Sequence, residues 1–507
     1  MESGSIAAGG QQPPAGSAPG EKGLKTGALG YLSNLVIGVA STAPGYSLAA
    51  TLGFIAAVGG VGLASPAILW VSFVPMLLIA SAYYYMNRAD PDCGTTFAWV
   101  TKAMGPSWGW IGGWAIIVAD VIVMANLAQI AGLYSFLLFG WDSAAASTVA
   151  VTAVGVAWIA IMTTICVIGI ELSARTQVGL LGAEIITLAL FAIVALFKVA
   201  TGDAGPQAVD FSPSWLNPFA IDSVDALIAG VLVAVFIYWG WDSTVTVNEE
   251  SRNSSEGPGK AALAATVILL LIYVIVAIAA QSYGGPQQLI DNADDVLSVL
   301  GKEVFGEPLD KILIIAVLTS AAASTQTTIL PTARTSLSMA RSHAMPRALG
   351  DIHPRYLTPH VSTILMGVLS IVWYVGLTIV SENILFDSIA ALGLMIAFYG
   401  ITWFACTIYY RRELFRSVKT FLLIGVGPFL GGLMLLGIFV KSCVDLSKPE
   451  NSESGDSWFG LGPPLVIGLG FLLLGVVLML FWRMHDATFF RRRPEVADPA
   501  LLDRSVA

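Results

Sequence analysis

Ser41-Thr42-Ala43-Pro44-Gly45-Tyr46 stands in the middle of an apolar stretch that covers residues 31–57. A second apolar stretch, residues 224–247, is interrupted in the same way by Trp239-Gly240-Trp241-Asp242. A break in a membrane helix frees backbone groups that lipid cannot satisfy, so it persists only where other groups bind them. Two such breaks, five apolar segments apart, are typical of carriers that hold a ligand between inverted halves. The pattern therefore predicts a membrane transporter.

Composition supports a membrane location for most of the chain. The 507 residues are 56% hydrophobic and 12% charged, and mean hydropathy is +0.77. Soluble domains carry roughly 25% charged residues, and a helix crosses the bilayer with about 20 apolar residues. We predict an all-α integral membrane protein with twelve transmembrane helices, near residues 29–57, 63–86, 109–139, 144–168, 178–200, 224–247, 259–281, 309–340, 359–381, 384–408, 418–440 and 463–484.

The order of the segments predicts the domain organisation. Because each half contains five spans, residues 29–200 and 224–408 are expected to form a 5+5 inverted repeat with broken helices 1 and 6. Two additional helices follow at 418–484, and the membrane domain as a whole covers 29–486. The polar tail 1–28 is expected to be disordered, and 487–507 is expected to form a short second tail.

The positive charges predict the orientation in the membrane. Cytoplasmic flanks of membrane helices are enriched in Lys and Arg. With both termini inside, all of the 25 Lys and Arg residues fall on cytoplasmic flanks except Lys198, Lys302, Lys311, Lys441 and Lys448. We therefore predict a multi-pass protein of the cytoplasmic membrane with cytoplasmic termini, whose surroundings are the lipid bilayer and not nucleic acid.

The cysteines and histidines give no metal or disulfide signal. The four cysteines have no C-x-x-C spacing. Three of the four histidines, His343, His353 and His360, fall in one basic loop, where a solvated surface is the simpler interpretation. We expect no metal, no cofactor and no enzymatic activity, since the H-E-x-x-H pattern of metallohydrolases is missing from the sequence.

Four stretches together resemble one family. The first is the break at 41–46. The second is Pro91-Asp92-Cys93-Gly94-Thr95-Thr96-Phe97-Ala98-Trp99, followed by Gly112-Gly113-Trp114. The third runs from Phe236 to Asp242 and continues into Asn248-Glu249-Glu250-Ser251-Arg252-Asn253. The fourth begins at Arg334 and continues through Met339-Ala340-Arg341-Ser342-His343-Ala344-Met345-Pro346 to Thr358-Pro359. In this order they are similar to motifs of the amino acid–polyamine–organocation superfamily of secondary transporters.

The resemblance implies that a small substrate binds between the two broken helices. Backbone N–H groups at the start of the half-helix near Gly45 would form a seat for a carboxylate, and freed carbonyls would accept hydrogen bonds from an ammonium group. By the same resemblance Phe236 stacks on the substrate. The candidate substrate-binding residues are Ser41, Thr42, Ala43, Pro44, Gly45, Tyr46, Asp120, Phe236, Trp239, Gly240 and Asp242.

Three acids, Asp120, Glu184 and Asp242, lie well inside predicted spans. An Asp at the centre of a membrane helix costs roughly 2.5–3.5 kcal/mol on insertion scales, so such acids are functional candidates. Asp242 either satisfies the unwound backbone or handles substrate or protons. Asp120 either selects a basic amino acid or polyamine, or pairs with Asn126 or Gln129.

Two interpretations of ion coupling remain open. In some proton-coupled relatives a lysine of the fifth span replaces a sodium ion, and Glu184 is expected near that place, where it would load and release a proton. Alternatively, Ser324 and Thr325 form the remnant of a sodium site with oxygens of the first span. The hydroxyl-rich stretch 309–340 that contains them fits an ion or water route and fits helix packing equally well.

The predicted function is secondary active transport of an amino acid or related organic amine, by proton-coupled uptake and alternating access. The alternative within transport is an exchanger of amino acids or polyamines without ion coupling. A channel is the alternative from another class, although the sequence shows no repeated selectivity-filter motif.

Overall fold

The computed structural model describes residues 20–293 and 295–497. Its described part is helical, with two isolated β-bridges, Leu29–Ser251 and Trp458–Leu461. Within these ranges ten helices are long and apolar enough to cross a membrane. The chain is therefore an all-helical integral membrane protein.

The first half contains nine helices, several of them short. They are α1 (Tyr31–Ser41), α2 (Pro44–Ala49), α3 (Leu52–Ala57), α4 (Ser65–Ala89), α5 (Thr96–Met104), α6 (Pro106–Phe139), α7 (Asp142–Ala145), α8 (Thr148–Ile168) and α9 (Ile170–Thr201).

The described residues after α9 contain eleven further α-helices, with a 3₁₀ turn at Val235–Tyr238 and a π-helical turn at Phe421–Val426. They are α10 (Val224–Ala234), α11 (Ser243–Thr246), α12 (Gly257–Asp291), α13 (Val296–Phe305), α14 (Lys311–Arg341), α15 (His360–Val380), α16 (Glu382–Tyr399), α17 (Ile401–Tyr409), α18 (Val418–Thr420), α19 (Gly427–Asp445) and α20 (Pro463–His485).

The helices differ from the sequence prediction in number and in the loops. The predicted spans 29–57 and 384–408 are each divided into shorter helices, so neither is among the ten long helices of the described ranges. The segments 91–108 and 282–308, predicted as loops, contain α5, the last turns of α12 and α13. Helix α5, the last turns of α12 and helix α13 each lack the unbroken run of about 20 apolar residues by which a span is recognised.

The first break separates α1 from α2. Ala43 adopts a left-handed conformation with φ 47°, and Pro44 follows as the first residue of α2, where its missing N–H costs no hydrogen bond. The Thr42 hydroxyl donates to the Val39 carbonyl, and the Ser47 hydroxyl donates to the Thr42 carbonyl. Short polar side chains thus bind the carbonyls that the break releases, as a helix end in lipid requires.

The second break is longer than the sequence suggested. Regular α-helix ends at Ala234, the chain continues as the 3₁₀ turn, and Gly240 has φ 120° before α11 begins at Ser243. The Tyr273 hydroxyl of α12 donates to the Ile237 carbonyl at 2.6 Å. A neighbouring helix therefore supplies a partner for the unwound backbone.

Helix α14 lies inside the bundle and packs against α1, α2, α6, α8, α9 and α11. Most of its Ser and Thr residues are buried, and several of their hydroxyls donate to carbonyls of their own helix. This placement brings α14 against both breaks, so one wall of any ligand site between them is formed by a hydroxyl-rich helix.

Residues 20–28 pack against the bundle, in contrast to the disordered tail predicted for 1–28. Lys22 Nζ lies 2.6 Å from Asp92 Oδ1 and 2.7 Å from Glu249 Oε1. Leu24 is buried beside Cys93. These ion pairs and this apolar contact hold the segment on the loop before α5; residues 1–19 lie outside the described part of the chain.

The C-terminal segment packs at the same end. Phe489 stacks on Phe97 of α5, and the Glu495 N–H donates to the Lys102 carbonyl at 2.6 Å. The first and last segments of the described chain therefore both contact α5 or the loop before it. The last ten residues of the predicted tail, 498–507, lie outside the described residues.

Candidate functional site

A cavity lies between the two helix breaks. The first break contributes Ser41, Thr42, Ala43 and Tyr46 to its wall. The second contributes Phe236, Trp239, Gly240 and Asp242. Together with Asp120, the structure thus brings nine of the eleven predicted substrate-binding residues to one place.

Helices α6 and α14 add further polar residues to the wall. Asp120 and Asn126 come from α6, and Ser324 and Thr328 come from α14. The Ser324 hydroxyl donates to the Ser41 carbonyl at 2.8 Å. This bond ties α14 to the end of the first half-helix at the cavity.

Three polar side chains of α6 have partners outside the pairs considered from sequence. Asp120 accepts a short hydrogen bond from the Thr332 hydroxyl of α14. Asn126 Oδ1 accepts from the Tyr46 hydroxyl, and Gln129 Oε1 accepts from the Tyr374 hydroxyl at 2.5 Å. Asp120 therefore pairs with neither Asn126 nor Gln129 through these bonds, and it faces the cavity.

Both charged side chains on the described cavity wall are acids. Asp120 and Asp242 line it, and no Lys, Arg or His does within the described residues. Both acids are buried. The wall consequently brings two acidic side chains to a cavity that both breaks line.

Glu184 lies behind the first break and is not part of the cavity wall. Its Oε1 accepts a hydrogen bond from the Gly45 N–H at 2.7 Å. The next N–H, of Tyr46, donates to the Ser320 hydroxyl at 3.2 Å. The first N–H groups of α2, expected to receive a substrate carboxylate, are therefore bonded to protein groups, and neither Pro44 nor Gly45 lines the cavity.

The two hydroxyls proposed for a sodium site are placed differently. Ser324 lines the cavity and reaches the break. Thr325 is buried away from the cavity wall, and its hydroxyl donates to the Ala321 carbonyl of its own helix at 2.8 Å. The structure therefore brings Ser324, but not Thr325, to the first break.

The cavity wall also contains residues that the sequence reasoning missed. Asn126 and Thr328 are polar, whereas Pro331, Ile389 and Leu392 are apolar. Asn126 had a usable signal, because an amide within an apolar membrane helix is costly and tends to face the interior. The contribution of α16 had none, since its apolar side chains read as ordinary packing.

Two other features have part of the pattern of a metal or catalytic site. Asp92, Cys93 and Glu249 have potential ligand atoms within 4.8 Å of one another, but the Lys22 ammonium contacts both carboxylates and the Cys93 thiol and so takes the position of a cation among them. Residues 105–109 read Gly-Pro-Ser-Trp-Gly, which matches a hydrolase nucleophile pattern. That pattern needs a strand before the turn, and here helix α5 precedes it.

A bundle of apolar helices in which two broken helices face a polar cavity is the architecture of a membrane carrier. Residues 29–480 match the family model described as "Amino acid permease", so the chain belongs to the amino acid permease family.

Several curated proteins are similar over much of their length. An uncharacterized transporter of Mycobacterium tuberculosis is 26% identical over 67% of this chain and 71% of its own length. The vacuolar cationic amino acid transporter 4 of Arabidopsis thaliana is 24% identical over 59% of this chain and 50% of its own. The low-affinity putrescine importer PlaP of Escherichia coli is 19% identical over 68% and 73%.

Proposed function

We propose that this protein is a secondary active transporter that moves an amino acid or related organic amine by alternating access. The observation that carries the proposal is the cavity between the two breaks, with wall residues from both. Short half-helices on either side of a ligand can tilt separately, so the two ends of the cavity can open in turn. Membership of the amino acid permease family and the transporter names of the relatives support this function.

We propose further that the protein uses the fold of twelve helices in a 5+5 inverted repeat, with the divided segments 29–57 and 384–408 completing the count. Lys22 and Phe489, near the two ends of the described chain, contact α5 or the loop before it, which supports placing both termini on one side of the membrane. The distribution of Lys and Arg favours the cytoplasmic side of the cell membrane.

The coupling ion in this proposal is the proton, carried by Glu184. Its Oε1 accepts from the Gly45 N–H, so the carboxyl group is bound directly to the first break. Its Oε2 is buried and has no hydrogen-bond partner among the described residues, which leaves an atom to take up the proton. Protonation then changes the strength of the bond to Gly45, because a charged acceptor binds an N–H more strongly than a neutral one.

Sodium coupling through Ser324 and Thr325 is the first alternative to proton coupling. Exchange without ion coupling is the second alternative. For sodium, the hydroxyl of Thr325 would have to leave the Ala321 carbonyl. The Glu184 proposal needs no such rearrangement, because the carboxyl group already contacts the break.

Uptake by purified protein in proteoliposomes tests the function. We expect saturable uptake of a labelled amine or amino acid that a pH gradient accelerates and a sodium gradient does not. Acceleration by sodium alone would favour the hydroxyl site, and counterflow without response to either gradient would favour exchange. Transport that neither saturates nor discriminates among substrates would indicate a channel.

A further inference from the structure

We propose that Gln177 of α9 and Gln326 of α14 hold water molecules through which the proton of Glu184 leaves toward the cytoplasm. This inference rests on the proposed proton coupling by Glu184 and adds the route that connects its carboxyl group with solvent. The two glutamines act as positioning residues, because an amide side chain offers a donor and an acceptor that orient water and does not itself take up the proton.

Gln177 and Gln326 form a buried amide pair between α9 and α14. Gln177 Nε2 donates to Gln326 Oε1 at 2.8 Å and to the Ala323 carbonyl at 2.9 Å. Both side chains are fully buried, and Gln177 Oε1 and Gln326 Nε2 have no hydrogen-bond partner among the described residues. Buried polar atoms are nearly always hydrogen-bonded, and ordered water supplies the partner where protein groups do not. The amide pair therefore provides a place for water inside the helix bundle.

The amide pair lies on the face of α9 that also carries Glu184. The two residues are seven positions apart in the sequence, a spacing that places side chains on one helix face and corresponds to about 10 Å along the axis. Glu184 Oε2 is a further buried atom without a hydrogen-bond partner among the described residues. Leu181 is the apolar side chain between them on this face. A short file of water that passes Leu181 would connect Glu184 with Gln177.

Polar groups continue along α14 beyond the amide pair. The Cys166 thiol of α8 donates to the Gln326 carbonyl at 3.6 Å. About two turns further along α14, Arg334 Nε lies 2.6 Å from Glu250 Oε2. The other carboxylate oxygen, Glu250 Oε1, is buried and has no hydrogen-bond partner in the described part of the chain. Another place for water therefore follows the amide pair.

The route ends at the ion pairs of Lys22. Glu250 is followed in space by its chain neighbour Glu249, which pairs with Lys22 at 2.7 Å. The side chains of Asp92 and Glu249 are 25% and 17% exposed, so solvent reaches this end of the bundle. Buried polar atoms without a partner thus succeed one another from the first break toward the end that the proposed topology places in the cytoplasm. In order, they belong to Glu184, Gln177, Gln326 and Glu250.

Water balances the proton step. The O–H bond of protonated Glu184 breaks, its electron pair stays on the carboxylate, and the proton passes to a neighbouring water molecule. That water passes one of its own protons to the next, so one proton leaves at the cytoplasmic end and no oxidant or reductant takes part. Tyr273 of α12 is a titratable neighbour of Glu184, but its hydroxyl donates to the Ile237 carbonyl. Arg334 is paired with Glu250.

Helix packing is the opposing interpretation of the amide pair. A polar side chain between two membrane helices contributes an interhelical hydrogen bond, and that role needs no water. Gln129 of α6 offers the comparison, because it is buried in the same way and its Oε1 accepts from the Tyr374 hydroxyl of α15 at 2.5 Å. Replacing Gln129 removes a buried bond between helices at a place outside the proposed route.

Proteoliposomes that contain a pH-sensitive dye measure proton movement and substrate uptake together. Labelled alanine, lysine and putrescine are offered in turn, and the compound that the native protein accumulates becomes the probe. Gln177→Met retains the length of the side chain and binds no water. We expect it to reduce uptake driven by a pH gradient about tenfold and to retain counterflow at equal pH. Gln326→Met should show the same division, whereas Gln129→Met should leave the ratio of the two activities unchanged.

A second measurement uses the unaltered protein in lipid nanodiscs. A brief X-ray pulse splits bound water into hydroxyl radicals, which oxidise cysteine side chains next to that water. Cys166 lies at the Gln326 carbonyl and Cys406 lies on α17, and both thiols are buried. Mass spectrometry therefore compares a thiol on the route with one away from it. We expect Cys166 to be oxidised several times faster than Cys406.

An equal loss of pH-driven uptake in Gln177→Met and Gln129→Met would overturn the inference, and so would equal oxidation of the two thiols. If Glu184→Gln loses pH-driven uptake while Gln177→Met retains it, proton coupling stands and the route alone fails. If the native protein accumulates none of the probes, or does so without response to the pH gradient, the proposed coupling and the route both fail. Should Gln177→Met not fold, the oxidation rates in the native protein decide.

Discussion

Gly240 lies directly against the carbonyl group of Ser41, so the two helix breaks touch. A Cβ atom added at position 240 would lie 2.7 Å from the Ser41 carbonyl oxygen and 2.8 Å from its carbonyl carbon. The Ser41 and Ser243 hydroxyls are 2.8 Å apart, which adds a hydrogen bond across the same contact. A movement of either half-helix therefore changes this contact and acts directly on the other half-helix.

Gly240→Ala should damage the protein, because residue 240 has φ 120° and no room for a side chain. Incompatible Gly→Ala substitutions destabilise by more than about 1 kcal/mol, and here the clash also pushes the breaks apart. We expect a lower melting temperature and strongly reduced uptake. Gly437→Ala on α19, where an added Cβ meets nothing within 4 Å, is the matched control and should leave both unchanged. Equal behaviour of the two variants would show that the contact is unimportant.

Glu184→Gln should abolish accumulation driven by a pH gradient and preserve part of the exchange activity. The amide retains an oxygen that accepts from the Gly45 N–H, but it does not carry a transferable proton. Uptake with an imposed pH gradient, compared with counterflow at equal pH, separates the two activities. Asp225→Asn serves as the control at an exposed acid, and unchanged pH-driven uptake in Glu184→Gln would remove Glu184 from the mechanism.

The Lys22 network should stabilise the fold at neutral pH. Burial alone would raise the pKa of Asp92, but the Lys22 ammonium and hydrogen bonds from Gly94 and Ser338 hold that pKa below its ordinary value. Burial would lower the pKa of Lys22, yet Cys93, Asp92 and Glu249 raise it above its ordinary value.

The pH dependence follows from these directions. Stabilisation by Asp92 is complete above its unfolded pKa of about 3.9 and is lost as pH falls through its lower folded pKa. Stabilisation by Lys22 is complete below about pH 10.4 and is lost as pH rises through its higher folded pKa. Lys22→Met should therefore lower the melting temperature by the same amount at pH 6 and pH 8. A difference that varied strongly across that interval would contradict this assignment.

Arg334 and Glu250 form a buried ion pair, with Nε and Oε2 2.6 Å apart. Removing one partner of a buried pair leaves an uncompensated charge, which costs about 3–5 kcal/mol. We expect Arg334→Met to reduce the melting temperature and the yield of folded protein sharply. Adding Glu250→Gln in the same chain should recover part of the loss. If the double variant were less stable than Arg334→Met, the pair would not be the cause.

The sequence indicated the breaks because Pro44 and Gly240 stand out within apolar stretches. It indicated Glu184 and the two cavity acids because carboxylates inside membrane helices are rare. The residues that these acids contact could not be predicted from the sequence. The bond from Gly45 to Glu184 joins residues 139 positions apart, and that from Thr332 to Asp120 joins residues 212 apart. Such contacts depend on how the helices pack, which periodicity does not specify.

The short helices and the N-terminal segment were missed for a different reason. Helix α5 has nine residues, too few for a span, and it is positioned by contacts such as the Lys102–Asp90 ion pair. Residues 20–28 are polar enough to suggest disorder, and they are ordered by charges on distant loops. Local composition indicates neither the ion-pair partner of α5 nor the distant charges that bind residues 20–28.

The most direct measurement of the central claim is a cryo-EM map of the protein in lipid nanodiscs at saturating concentration of a transported amine. We expect ligand density in the cavity lined by Ser41, Tyr46, Trp239, Asp242 and the α6 and α14 wall. Density at another place, or regular helix running uninterrupted through both breaks, would contradict the account.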